Sequence, residues 1–163
     1  MQLEFPYQIV TFLGNEPAVN EPVYGGENGW YPQLTLKRRF KLNGLSEEVL
    51  VESLKQFFSS VGLIITTGTM IKPERMPVRV IEIMNQDELK DLHLRLIDSL
   101  GDSIISRYPE RDGVNYYPHI TAEYNDKFVI PVDEYTNKQL PLTNVWLIKD
   151  FDDEDSHAYI KIK

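Results

Sequence analysis

The chain contains no cysteine. A disulfide framework, a thiolate nucleophile and a thiolate metal site are therefore excluded. Histidine is scarce, with 3 in 163 residues, so any imidazole chemistry rests on His93, His119 or His157. Apolar runs stay far below the roughly 20 residues of a membrane span. Positive charge is in deficit, 17 basic against 25 acidic residues for a net charge of −8. Such a surface does not coat long duplex nucleic acid, whose phosphates need a basic face. A local basic patch can still hold one small anion. The first ten residues, MQLEFPYQIV, carry an acid and lack the basic, apolar and small-residue regions of a secretory signal. No phosphate-cradling glycine loop of the P-loop or Rossmann kind is present; Gly25 and Gly26 read as a plain turn. There is no serine nucleophile elbow. The acidic run from Asp150 to Asp155 before His157 lacks the spacing of a calcium-binding loop and reads as a solvated turn. These absences lead to the expectation of a cytoplasmic protein with no metal, no cofactor and no membrane contact.

What is present is ordinary globular composition, 42% hydrophobic and 26% charged. One domain over residues 1–163 is expected, with enough core to fold unaided. Tyr7 to Leu13 reads as a strand, and residues 15–29 as a long loop rich in Gly, Pro, Asn and Glu. Leu34 to Leu42 is a second strand. Alternation places Leu34, Leu36, Arg38 and Phe40 on one face and Gln33, Thr35, Lys37 and Arg39 on the other. Ser46 caps a helix whose apolar stripe is Leu50, Leu54, Phe57, Phe58 and Val61. Leu63 to Ile71 and Val78 to Met84 are strands around a turn at Lys72 to Pro77. Asn85 and Glu88 have the spacing of a capping box. The helix they open carries Leu89, Leu92, Leu96, Ile97 and Leu100 and stops at Gly101. His93, beside that stripe, reads as structural. A loop over 102–116 turns at Asp112-Gly113. Strands follow at His119 to Tyr124 and Phe128 to Val132, and a hairpin of Val145 to Phe151 with Ala158 to Ile162 closes the chain. This order predicts an α+β fold with largely antiparallel sheets.

One internal repeat stands out. Residues 30–37 read WYPQLTLK and residues 116–123 read YYPHITAE, offset by 86 positions. Tyr31 meets Tyr117, Pro32 meets Pro118, Gln33 meets His119, Leu34 meets Ile120 and Thr35 meets Thr121. In each copy a proline opens a strand after a loop. The first and third residues of Gln-Leu-Thr and of His-Ile-Thr share a face, about 7 Å apart, while Leu34 and Ile120 point to the core. Gln33, Thr35, His119 and Thr121 are thus expected to form a polar floor. Two hydroxyls can donate to phosphate oxygens, and an imidazole can move a proton near neutrality. Lys37 and Arg39 extend that face toward a second phosphate. Tyr31 and Tyr117, by parity, are placed to stack on a base, with Trp30 and Tyr116 as weaker candidates. Glu123, the counterpart of Lys37, is a possible partner for it across the cleft.

The paired triplets resemble the two-histidine (2H) phosphoesterase superfamily, which includes the 2'-5' RNA ligase-like and cyclic phosphodiesterase proteins. PHIT at 118–121 matches its motif, and PQLT at 32–35 matches with Gln33 in place of histidine. The resemblance implies a bilobal, pseudo-twofold fold with antiparallel sheets lining a central cleft and helices packed outside. It implies action on a 2',3'-cyclic phosphate or a 2'-5' phosphodiester of a small nucleotide or RNA end. His119 would be the proton-transfer group, with Thr35 and Thr121 holding the phosphate. Gln33 cannot take a proton at usable pH. Loss of one acid or base costs about 10²–10⁴-fold, so three classes remain: a weakened phosphodiesterase, a catalytically inactive nucleotide-binding or regulatory module, or a structural or interaction domain without a ligand in which both motifs are relics.

Overall fold

A computed structural model of the chain describes residues 3–14, 16–17, 32–124, 127–151 and 157–163. Its strands are β1 (Tyr7–Phe12), β2 (Gln33–Leu42), β3 (Ile64–Ile71), β4 (Val80–Ile83), β5 (Ile104–Ser106), β6 (His119–Thr121), β7 (Glu123–Tyr124), β8 (Lys127–Phe128), β9 (Gln139–Pro141), β10 (Trp146–Asp150) and β11 (His157–Lys161). The helices are α1 (Glu47–Phe58), α2 (Gln86–Leu100) and the single turn α3 (Val132–Tyr135). Nine strands form one sheet in the order β11-β10-β1-β2-β6-β4-β3-β9, with β5 also paired to β2. Its neighbours are antiparallel. The order is symmetric about the junction of β2 and β6. Counting outward from it, β2 corresponds in place to β6, β1 to β4 and β10 to β3.

Helix α1 starts where Ser46 Oγ accepts a hydrogen bond from Val49 N at 3.3 Å, with Glu47 and Glu48 at its positive end. Leu50, Leu54 and Phe58 are buried along one stripe. Helix α2 buries Leu89, Leu92, Leu96 and Leu100, and Gly101 ends it at φ 51°, a left-handed conformation that suits glycine. Both helices lay these stripes into one cluster with Ile9, Leu34, Leu36, Phe40, Ile65, Ile81, Ile83 and Ile120 of the sheet. Each fully buried side chain of this size contributes roughly 1.5–3 kcal/mol. Val10, Phe12, Trp146, Ile148 and Tyr159 form a second cluster. There the Phe12 ring meets Trp146 and Tyr159 edge-on at 6.0 and 5.9 Å. Alternation along β1, with Ile9 in one cluster and Val10 and Phe12 in the other, puts the two clusters on opposite faces of the sheet.

Several local expectations change. Asn85 does not cap α2. Its amide clamps β3 instead, with Oδ1 accepting from Thr66 N at 2.9 Å and Nδ2 donating to Ile64 O at 2.7 Å. The strand read from His119 to Tyr124 breaks at Ala122, where Ala122 N and Glu123 N both donate to Arg79 O. The strand read from Phe128 to Val132 shrinks to Lys127–Phe128, and α3 and β9 occupy the segment beyond it. The loop over 102–116 contains β5, which fills the sheet beside the far end of β2.

Candidate functional site

The two repeat triplets are neighbours in the sheet. β2 and β6 pair antiparallel at Leu34 and Ile120, both fully buried. Extending that register by one residue each way sets Thr35 opposite His119 and Gln33 opposite Thr121. Directly opposed Cβ atoms lie about 4.5–5.5 Å apart and diagonal ones about 7–8 Å, so Gln33 and His119 are diagonal neighbours. All four polar residues are half-buried. They occupy the face of Val10 and Phe12, which pair with Thr35 and Gln33. On the other side, β4 sets Val80 beside Thr121 and Glu82 beside His119. Pro32 and Pro118 precede the triplets, and Pro32 O accepts from Leu13 N at 3.0 Å, closing the β1–β2 end.

His119 has a defined proton arrangement. Its Nδ1 lies 2.9 Å from Tyr117 O. A carbonyl only accepts, so Nδ1 carries the proton and the neutral ring keeps its lone pair on Nε2. Tyr117 stacks on the ring at 5.6 Å between centroids and 23° between planes. Burial pulls the His119 pKa below its ordinary value and outweighs the hydrogen bond to Tyr117 O; the Arg38 guanidinium lowers it further. The neutral form, a base, therefore prevails at neutral pH.

β2 is not a simple strand beyond Thr35. Its register with β1 shifts between Thr35 and Lys37 and again between Lys37 and Phe40. Each shift is a bulge that adds a residue and reverses the facing that follows. The first sets Lys37 opposite Ile9, on the core side. Lys37 is 1% exposed, and its ammonium donates to Asp112 at 3.1 and 3.0 Å, Ser106 Oγ at 2.8 Å and Arg38 O at 3.2 Å. The expected position of Lys37 on the polar face is thereby corrected. Its pairing with Glu123 is corrected too, because Glu123 lies 3.4 Å from Arg79. Phe40 returns to the core opposite Tyr7. Arg38 and Arg39 fall within the second bulge, and both are half-buried. Arg39 ion-pairs with Asp150 of β10. Arg38, expected on the core side, instead lies close enough to His119 to affect its titration.

On the side away from β1 the bulged stretch has no continuous strand partner, because β6 pairs only at Leu34 and β5 begins at Phe40. Side chains satisfy the Thr35 and Leu36 carbonyls instead. Tyr116 OH donates to Thr35 O at 2.7 Å. His93 Nδ1 donates to Leu36 O at 2.8 Å, and His93 Nε2 accepts from Gly113 N at 3.0 Å. Tyr116 stacks on His93 at 4.0 Å and 15°. Tyr116 and His93 are thus structural supports beneath the floor. Tyr31 and Trp30 lie outside the described residues, as does the acidic turn over 152–156. Among the described residues, no group of three or more His, Asp or Glu side chains is placed to hold a metal ion. No helix among them is long and apolar enough to cross a membrane.

Sequence reading missed an arginine cluster. Tyr108 is flanked by the guanidinium groups of Arg107 and Arg111, 5.1 and 4.9 Å from its ring centroid. Arg111 and Tyr108 also act electrostatically on Arg38. The spacing Arg107-Tyr108-Pro-Glu-Arg111 is visible in the chain. Its proximity to β2 is not, because that depends on the bulges and on β5.

No protein-family model matches the chain, and no curated protein matches it in sequence. Solved structures do match. One is described as a phosphoesterase, with TM-score 0.56 and 18% identity over 98% of this chain and 95% of that one. E. coli LigT complexed with NADP+ gives TM-score 0.55 at 18% identity, again over 98% and 95%. E. coli LigT complexed with 3'-AMP gives TM-score 0.51 at 19% identity over the same shares. The large antiparallel sheet, the three helices and this superposition over 98% of the chain give it the α+β fold of E. coli LigT.

Proposed function

We propose that the floor between β2 and β6 binds a phosphodiester of a small nucleotide or an RNA end, and that the protein is a slow 2',3'-cyclic or 2'-5' phosphodiesterase. The observation that carries this reading is the antiparallel pairing of the two triplets, which gathers two hydroxyls, one amide and one neutral imidazole on one face. Thr35 and Thr121 donate hydrogen bonds to non-bridging phosphate oxygens. His119 Nε2 takes a proton from the attacking water as the water oxygen bonds to phosphorus. The bond from phosphorus to the ribose oxygen breaks, and that oxygen takes its proton from solvent. Gln33 donates a hydrogen bond there but no proton. The solved LigT complexes with NADP+, ATP and 3'-AMP support a small nucleotide as ligand.

Gln33 also favours a second reading, a nucleotide-binding module without turnover. The two are separated by hydrolysis of a nucleoside 2',3'-cyclic phosphate by wild type, Gln33→His and His119→Ala. The enzyme reading expects slow turnover in wild type, with a basic limb below the ordinary histidine value of about 6.5. It expects a gain of about 10²-fold or more in Gln33→His and loss in His119→Ala. No turnover in wild type or Gln33→His, with nucleotide binding intact, establishes the binding module. No binding by any variant overturns both.

A further inference from the structure

We propose that Arg38, Arg107 and Arg111 form a second anion subsite around Tyr108, and that the preferred ligand therefore carries a second phosphate. The inference rests on the phosphodiester reading of the floor. Among the described residues, Arg39, Arg79 and Arg95 each have a carboxylate within ion-pair distance, namely Asp150, Glu123 and Asp91. Arg38, Arg75, Arg107 and Arg111 have none among them, and of these four only Arg38, Arg107 and Arg111 gather around one ring, that of Tyr108, in a chain whose net charge is −8. Asp112, which acts electrostatically on Arg38, is already held by Lys37 at 3.0 Å and by Ser106 Oγ at 2.5 Å. Three cations are thus gathered where Asp112, the one carboxylate acting on Arg38, is shared with Lys37. A bound anion supplies further counter-charge.

The placement is fixed by the backbone. Arg107 N donates to Arg39 O at 2.9 Å, which ties the loop to the bulged end of β2. The Lys37–Asp112 pair and the His93–Gly113 hydrogen bond hold its other end. Arg38 lies three residues along β2 from Thr35, at most about 10 Å by strand rise. Arg38, at the base of the cluster, is therefore within the span of one nucleotide whose other phosphate lies on the floor. Arg107 and Arg111 are exposed and Arg38 is half-buried, so the cluster has two arms open to an incoming ligand and one at its base. Guanidinium forks suit phosphate oxygens geometrically. Arg38 also lowers the His119 pKa, so a phosphate bound beside Arg38 would be felt at the imidazole.

The test is calorimetric titration of 3'-AMP and of adenosine 3',5'-bisphosphate into wild type and Arg107→Ala/Arg111→Ala. Both substituted residues are exposed, and thermal melts of the two proteins check folding. Wild type is expected to bind the bisphosphate about 10-fold or more tightly than 3'-AMP, which corresponds to about 1.4 kcal/mol. In the double variant that advantage should vanish, with 3'-AMP affinity unchanged. Equal affinities in wild type, or an advantage that survives in the double variant, overturn the subsite and leave the floor reading standing. Binding of neither ligand by wild type overturns both.

Discussion

Replacing Lys37 by methionine separates a structural lysine from a ligand-binding one. The substitution keeps most of the stem that runs past Phe40, whose ring lies 5.8 Å from the ammonium. It removes hydrogen bonds to both Asp112 oxygens, Ser106 Oγ and Arg38 O. Asp112 is left with the Ser106 hydroxyl while its side chain is only 14% exposed. Breaking one side of a buried pair costs about 3–5 kcal/mol, and partial access to water puts this case at the lower end. For a chain of this size each kcal/mol moves Tm by about 2–4 °C. Lys37→Met should therefore melt at least about 6 °C below wild type. Lys37→Met/Asp112→Asn should recover much of that loss, because no orphaned carboxylate remains. Thermal denaturation followed by circular dichroism measures both, and 3'-AMP binding at low temperature should match wild type. A melt within 2 °C of wild type together with lost binding would refute the buried placement and restore the simple alternation of β2.

Acid should weaken the fold. Burial lowers the His93 pKa, against the hydrogen bond to Leu36 O and the Asp112 charge and together with the Lys37 charge. Folded protein then binds fewer protons than unfolded chain near and below the ordinary histidine pKa of about 6.5, so stability is full above that value and falls as pH drops toward the folded pKa. The urea midpoint should be lower at pH 5 than at pH 7, with a smaller drop in His93→Gln. A midpoint that rises on acidification would contradict the assigned proton arrangement. Thr11 Oγ1 is buried and has no hydrogen-bond partner among the described residues. Thr11→Val should therefore raise unfolding free energy by about 1 kcal/mol, and a loss in urea denaturation would reveal a partner for the hydroxyl.

The helices were legible because their stripes follow one period and their ends carry local signals such as Ser46 and Gly101. The likeness of the triplets was legible as a repeat, and alternation gave the inward facing of Leu34 and Ile120; that the two strands are hydrogen-bonded neighbours in one sheet, and do not meet across a cleft, was not. The facing of Lys37 and Arg38 was not. A bulge inserts a residue without a compositional mark, and two in succession reverse and then restore the parity of a strand. Asn85 had the sequence of a cap, yet β3 offered its amide two backbone partners. The short elements α3 and β9 carry too few residues to show a period. The arginine cluster was hidden because its members meet only through β5 and the bulged end of β2.

The central claim is that the floor of Gln33, Thr35, His119 and Thr121 holds a phosphate against a neutral imidazole. Its most direct test is an NMR titration with 3'-AMP that follows the backbone amides and the His119 ring nitrogens, in wild type and in Thr35→Val/Thr121→Val. The account predicts saturable shifts centred on residues 33–35 and 119–121. It also predicts that the His119 pKa rises on binding, because an anion beside the ring favours its charged form. In the double variant the affinity should fall by about tenfold or more, the loss of two hydrogen bonds to a charged group. Saturable shifts elsewhere with an unmoved His119 pKa, or unchanged affinity in the double variant, would contradict it.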